Sequence, residues 1–162
     1  MPDETQKLRV AVGADHAGFH VKEAIKTYLE SSGHSVTDAG TWSEESVDYP
    51  DYAKKVAEAV ARGEANLGIL ACGSGIGMAI AANKVAGIRA ATVNDLIAAR
   101  AAREQNDANV LALGGRLVDV TQAVEIVRAF LATAFKGGRH QRRNEKIAEM
   151  DSARPQSKGT AA

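Results

Sequence analysis

An α/β fold, a single-domain three-layer α/β/α sandwich of the Rossmann-like kind with a five-stranded parallel sheet, is what this chain predicts, and three observations carry the prediction. Short apolar runs alternate five times with amphipathic segments of helical period, the pattern that builds a parallel sheet covered by helices on both faces. The middle run, residues 67–72, is almost wholly apolar, as a strand buried on both faces must be. A glycine turn, Gly73-Ser74-Gly75-Ile76-Gly77, follows it directly and opens a helix near Met78. Strand, glycine turn and helix start together form the join at which open α/β sheets hold ligands.

Composition agrees with one domain and excludes several classes. The 162 residues suffice to bury a full core. Lys plus Arg equals Asp plus Glu at 20 each, so no global charge steers the protein to nucleic acid or an acidic surface. One cysteine rules out an internal disulfide framework, and with no secretory signal or long apolar run the expected setting is the cytoplasm, without a membrane segment. The four histidines are scattered, and His16 with His20 at i, i+4 lacks further ligands, so neither a metal site nor a cofactor is expected.

Taken in order, residues 1–7 are polar and read as a flexible leader. Residues 8–13 form the first strand, and Asp15-His16-Ala17-Gly18 opens a helix to about Ser32 with Phe19, Ile25, Tyr28 and Leu29 on its apolar face. Gly33 ends it, and residues 34–39 give the second strand. The loop at 40–51 carries Trp42, Tyr49 and Pro50, too aromatic for a mere linker, and is expected to wall a pocket. Pro50 suits the first turn of a helix to Gly63, whose Tyr52, Val56 and Val60 recur at helical spacing. After the central strand and its helix come a fourth strand at 88–93, a helix at 94–105 and a fifth strand at 110–113. Asp119 caps a helix bearing Val120, Val124, Val127, Phe130 and Leu131. Residues 136–146 are locally basic, and 152–162 are small and polar and read as a disordered tail, which leaves 8–151 as the domain.

Cys72 falls at the carboxyl end of the central strand, the ligand-binding edge of such sheets. Glycines let a ligand approach the backbone, and the unpaired amides of a first helical turn favour an anion there and a thiolate beside them. Cys72 is therefore a candidate base or nucleophile; the alternative is a small buried hydrophobe. The turn itself is one residue short of GxGxxG and by itself need only close a βα connection. Asp15 either lines the same edge or caps the first helix. Arg139 and Arg143, four apart, share a helix face and could clamp one phosphate; otherwise they belong to a solvated basic helix.

Gly13-Ala14-Asp15-His16-Ala17-Gly18, Asp48-Tyr49-Pro50, Cys72-Gly73-Ser74-Gly75-Ile76-Gly77, Ala81-Ala82-Asn83-Lys84, Asn106-Asp107 and Gly137-Gly138-Arg139-His140, in this order, resemble the type B ribose-5-phosphate isomerases, which are grouped with galactose-6-phosphate isomerases. The resemblance spans about residues 8–150. It implies strand order 2-1-3-5-4, a homodimer or tetramer with active sites shared across the interface, and no nucleic-acid or membrane partner. It also implies metal-free, cofactor-free aldose-ketose isomerisation of a small sugar phosphate through an enediolate, with ribose 5-phosphate and ribulose 5-phosphate as the first expectation.

The resemblance assigns roles residue by residue. Cys72 matches the proton-transferring base, Ser74 the hydroxyl beside it, and the amides of Gly73, Gly75, Ile76 and Gly77 the anion hole. Asp15 belongs with the catalytic group; His16, Tyr49 and Gln105 fall at sugar-binding positions. Asn106 matches a substrate contact supplied by the partner subunit, and Arg116, Arg139 and Arg143 match the phosphate binders. The chemistry fits, because moving a carbon-bound proton needs a base and donors placed where the enediolate oxygen gains charge.

One departure stands out. Where pentose-specific members read R-x-H-N, with a histidine credited with opening the furanose ring, this chain reads Arg103-Glu104-Gln105-Asn106, and glutamine is no acid-base catalyst at neutral pH. Either Asp15 and His16 open the ring, or the substrate has none to open, as in a tetrose 4-phosphate such as erythrose 4-phosphate; a hexose 6-phosphate is a further alternative. Two other classes compete. A dinucleotide oxidoreductase would use Asp95 as ribose partner but leaves Cys72 and Arg139 without a job. A non-catalytic sugar-phosphate-binding module would not need both Cys72 and Ser74.

Overall fold

In a computed structural model, which describes residues 6–155, strand and helix alternate along the chain. The elements are β1 (Arg9–Ala14), α1 (Phe19–Ser31), β2 (Ser35–Asp38), α2 (Tyr49–Ala61), β3 (Leu67–Cys72), α3 (Ile76–Ala82), β4 (Ala90–Thr92), α4 (Leu96–Glu104), β5 (Val110–Gly114), α5 (Val120–Ala132) and α6 (Arg139–Ser152). The strands form one sheet in the order β2-β1-β3-β5-β4, every neighbouring pair parallel. Ala14 is level with Ala71, and Cys72 with Gly114, so the chain leaves the three central strands along one edge.

Side chains alternate between two cores. Val10, Val12, Ile69, Leu111 and Leu113 face α1 and α5, where Ile25, Leu29, Ile126 and Phe130 are buried. Ala11, Leu70, Val110 and Ala112 face α2 and α3 over Val56, Ala57 and Met78. Every residue of β3 is buried, which is why its sequence shows no polar alternation.

Several boundaries differ from the sequence expectations. β4 has three residues rather than the six at 88–93, and at Ala90 the side chain of Asn83 stands in for a neighbouring strand. Its Nδ2 donates to the Ala90 carbonyl at 2.9 Å and its Oδ1 accepts the Ala90 N–H at 2.7 Å. α3 begins at Ile76, ahead of the expected Met78, since Gly75 at φ 80° completes the turn at once. Within the stretch expected as a tail, Ser152 closes α6 and the Arg154 guanidinium donates to the carbonyls of Asn83 and Lys84. Residues 1–5 of the expected leader and 156–162 of the expected tail lie outside the described residues. Among the described residues no helix is long and apolar enough to cross a membrane.

Candidate active site

The loops that follow β1, β3 and β5 are packed backbone on backbone. A Cβ on Gly18 would lie 2.2 Å from the Ala71 carbonyl oxygen, so only glycine lets α1 start against the end of β3. Asp15 N–H donates to that same carbonyl at 3.2 Å, and Gly115 N–H donates to the Cys72 carbonyl at 2.7 Å. The sequence thus draws three chain segments around the last residue of β3.

Cys72 is buried, with 4% of its surface exposed, but its sulfur does not end among aliphatic groups alone. Sγ accepts the Gly75 N–H at 3.2 Å, a donor that stabilises negative charge on sulfur. Gly75 can aim it there because it takes a left-handed φ of 80° at a point where a Cβ would lie 3.0 Å from the β5 backbone. Ser74 and Gly73 beside it are partly exposed, so the turn opens to solvent. The Ser74 hydroxyl oxygen accepts the Ile76 N–H at 3.2 Å, and the Ile76 side chain points outward.

Two residues that the sequence reading did not single out brace this turn. Thr92 Oγ1 donates to the Gly75 carbonyl at 3.1 Å, and Asn94 Nδ2 donates to the Ser74 carbonyl at 3.4 Å. Asn94 Oδ1 also accepts the Gly114 N–H at 2.8 Å, tying the ends of β4, β3 and β5 together. The available signal was their polarity, directly at the carboxyl end of an apolar run.

The remaining residues of this edge arrive from neighbouring loops. Asp15 is buried, and its Oδ1 accepts the N–H groups of Ala17 and Gly18 at 2.9 and 3.1 Å. Asp15 therefore does not cap α1 itself, whose N-cap is Gly18 without a side-chain cap bond, but braces the turn that leads into it, at a point adjoining Cys72. His16 Nδ1 accepts the Val47 N–H at 3.2 Å, so the ring proton sits on Nε2 and the loop at 41–48 lies against the imidazole. The Tyr49 ring covers Gly77, with Cζ 2.6 Å from where a Cβ would stand. The Arg116 guanidinium covers Gly73 in the same way at 3.1 Å and brings positive charge to the turn. Asp15, His16, Tyr49, Cys72, Ser74, the Gly73–Gly77 amides and Arg116 thus share one edge.

Gln105, Asn106, Arg139 and Arg143 do not join them. α4 runs back against the strand direction, so Gln105 and Asn106 reach the amino edge of the sheet, and the length of β5 alone sets that edge about 13 Å from Gly114. α6 starts there as well: Lys136 N–H donates to the Glu104 carbonyl and Asn144 Nδ2 to the Gln105 carbonyl, both at 3.1 Å. Arg139 and Arg143 are exposed at that end. Within a single chain, Arg116 of the three expected phosphate binders is near the turn, and Arg139 and Arg143 stand at the opposite end.

Two cavities, of about 790 and 570 Å³, lie elsewhere, the first between α1, α5 and the start of β3, the second between α6 and β4. Among the described residues no group of three or more His, Cys, Asp or Glu side chains is placed to hold a metal ion.

Comparison with known proteins identifies the family. The family described as Ribose/Galactose Isomerase matches residues 10–147. Ribose-5-phosphate isomerase B of Escherichia coli is 49% identical over 146 residues, 90% of this chain and 98% of the relative. The galactose-6-phosphate isomerase subunit LacB of Clostridium acetobutylicum is 44% identical over 127 residues, 78% of this chain and 73% of that one. Among solved structures, a ribose-5-phosphate isomerase B of Clostridium thermocellum superposes with a TM-score of 0.88 at 49% identity, covering 90% of this chain and 98% of its own. One from Thermotoga maritima gives 0.86 at 53% identity, covering 89% and 99%.

Proposed function

Because the chain belongs to the Ribose/Galactose Isomerase family and is an aldose-ketose isomerase of sugar phosphates, we propose that it interconverts ribose 5-phosphate and ribulose 5-phosphate through an enediolate, with Cys72 as the base. The carrying observation is the sulfur at the end of β3 with the Gly75 N–H directed at it from 3.2 Å. The thiolate takes the proton from carbon 2 of the open-chain aldose, and the electron pair passes into an enediolate whose charge falls on the oxygen of carbon 1. The Ser74 hydroxyl and the turn amides from Gly73 to Gly77 meet that charge. A proton passes from the oxygen of carbon 2 to the oxygen of carbon 1, and the thiol returns its proton to carbon 1, so that the carbonyl forms on carbon 2. Asp15 and His16 hold the sugar hydroxyls and are the groups at hand to open the ring, and Tyr49 walls the sugar.

Phosphate is bound by Arg116 together with Arg139 and Arg143, whose binding energy at the far end of the substrate holds the reacting carbon over sulfur. The two residue groups stand at opposite edges of one chain, which supports a homodimer in which Gln105, Asn106, Arg139 and Arg143 of one copy complete the Cys72 edge of the other. Pairing of dimers into a tetramer would leave this sharing unchanged. We place the enzyme in the cytoplasm, where its lone thiol stays reduced.

Gln105 favours a second reading. A tetrose 4-phosphate cannot close a furanose, because its ring-forming oxygen is esterified, and it therefore needs no ring-opening histidine. Side-by-side kinetics on ribose 5-phosphate, erythrose 4-phosphate and galactose 6-phosphate separate the two. The proposal expects turnover of ribose 5-phosphate, raised by Gln105→His, with no gain on erythrose 4-phosphate. A wild-type enzyme that turns over erythrose 4-phosphate and ignores ribose 5-phosphate would replace the first reading with the second.

A further inference from the structure

Lys22 is the only lysine in the buried class among the described residues, with 1% of its surface exposed on α1. A buried ammonium is costly unless its protons are matched, and here they are. Nζ donates to Asp38 Oδ1 and Oδ2 at 2.8 and 2.9 Å and to the Thr41 carbonyl at 2.6 Å, with Glu23 Oε1 3.0 Å away. These partners fix a junction. Asp38 Oδ1 also accepts the Gly40 N–H at 2.9 Å, and Gly40 and Thr41 pair with Ala14 at 2.7 and 2.8 Å, one residue before Asp15. From Thr41 the chain runs as a loop to Val47, whose N–H is the donor to His16 Nδ1.

We propose that Lys22 is a positioning residue for the isomerisation: it clamps the root of the 41–47 loop so that Val47 holds His16 in the tautomer with its proton on Nε2, the atom left to meet the substrate. The inference rests on the reading of His16 as a sugar contact. An apolar side chain of similar length would fill the volume at Lys22, but it would leave the Thr41 carbonyl without its partner and Asp38 facing only Lys26 and Gly40 N–H. The loop root would then be free to shift, and a displacement of the order of 1 Å is enough to cost activity.

The test compares wild type with Lys22→Met and with the charge-matched Lys22→Met/Asp38→Asn, which keeps the experiment interpretable if the single variant does not fold. Nitrogen-15 spectra of the His16 ring, assigned by its loss in His16→Asn, report the tautomer; kcat and KM on ribose 5-phosphate report the reaction. In the folded variant we expect His16 to pass from a pure Nε2–H pattern to an averaged one, and kcat/KM to fall about tenfold. Val47→Pro, which deletes the donor alone, should reproduce the spectral change and add nothing when combined with the double variant. An unchanged His16 spectrum in the folded double variant overturns the clamp. A lost tautomer with undiminished turnover overturns the positioning role and, with it, the reading of His16 as a substrate contact, while leaving the assignment of Cys72 untouched.

Discussion

Asp38 is a residue whose environment can be turned into a pH dependence. Burial pushes its carboxyl up, but the hydrogen bond and charge of Lys22, the Gly40 N–H and Lys26 together hold it below the usual carboxylate range. A carboxyl whose pKa is lower folded than unfolded contributes stability that is present above the unfolded value of about 3.9 and is lost as pH falls through the folded value. Acid unfolding followed by circular dichroism should therefore show wild type losing stability below about pH 4, and Asp38→Asn, which has nothing to protonate there, losing less over the same interval. At this scale the sequence was uneven. Cys72, Ser74 and Asp15 were legible because their positions follow from strand ends and turns. Lys22 was not, since a lysine in a helical pattern reads as solvent-facing and its partner lies 16 positions away, beyond any local period. Thr92 and Asn94 were missed for a related reason: their contacts run across the sheet to Ser74, Gly75 and Gly114, and nothing in the order of residues announces which strands will be neighbours.

Among elements, the entry of α1 is held most tightly. Gly18 meets the Ala71 carbonyl so closely that Gly18→Ala cannot be accommodated without moving the helix start off β3. Overpacking of this kind costs about 1–3 kcal/mol, read as a lower denaturant midpoint at unchanged slope, with activity falling as Asp15 and His16 shift with the helix. Strand and helix identities were legible because short apolar runs alternate with segments of helical period in this chain. Their limits were less so. β4 covers only half of its apolar run, with the Asn83 amide bonded to Ala90 inside it, and α6 runs on through Ser152 where composition suggested loosening. The Arg154 guanidinium, just past the end of α6, bonds the carbonyls of Asn83 and Lys84 across the fold, and local propensity carries no trace of such a contact.

At the scale of the whole molecule, α6 buries none of its residues in its own chain, while it carries Arg139 and Arg143 far from the edge that holds Cys72. A homodimer that brings the two together makes a sharp prediction for mixed subunits. Cys72→Ala and Arg139→Ala/Arg143→Ala should each be nearly inactive, yet dissociating and reassociating an equal mixture should restore about a quarter of wild-type activity, because half of the dimers are mixed and each of those keeps one intact site. Sites confined to single chains would restore none. The family resemblance assigned Asn106 alone to the partner subunit; that Arg139 and Arg143 stand at its end of the sheet depends on where α6 packs, which residue spacing by itself does not say.

The proposed reaction is the movement of a carbon-bound proton at Cys72, and isotope exchange reads that act directly. In heavy water the wild-type enzyme should wash solvent deuterium into the carbon positions that interconvert in ribose 5-phosphate and ribulose 5-phosphate, while Cys72→Ala, still binding inorganic phosphate, should wash in none above the uncatalysed background. Deuterium incorporation by Cys72→Ala at a rate near that of wild type would contradict the assignment of the base.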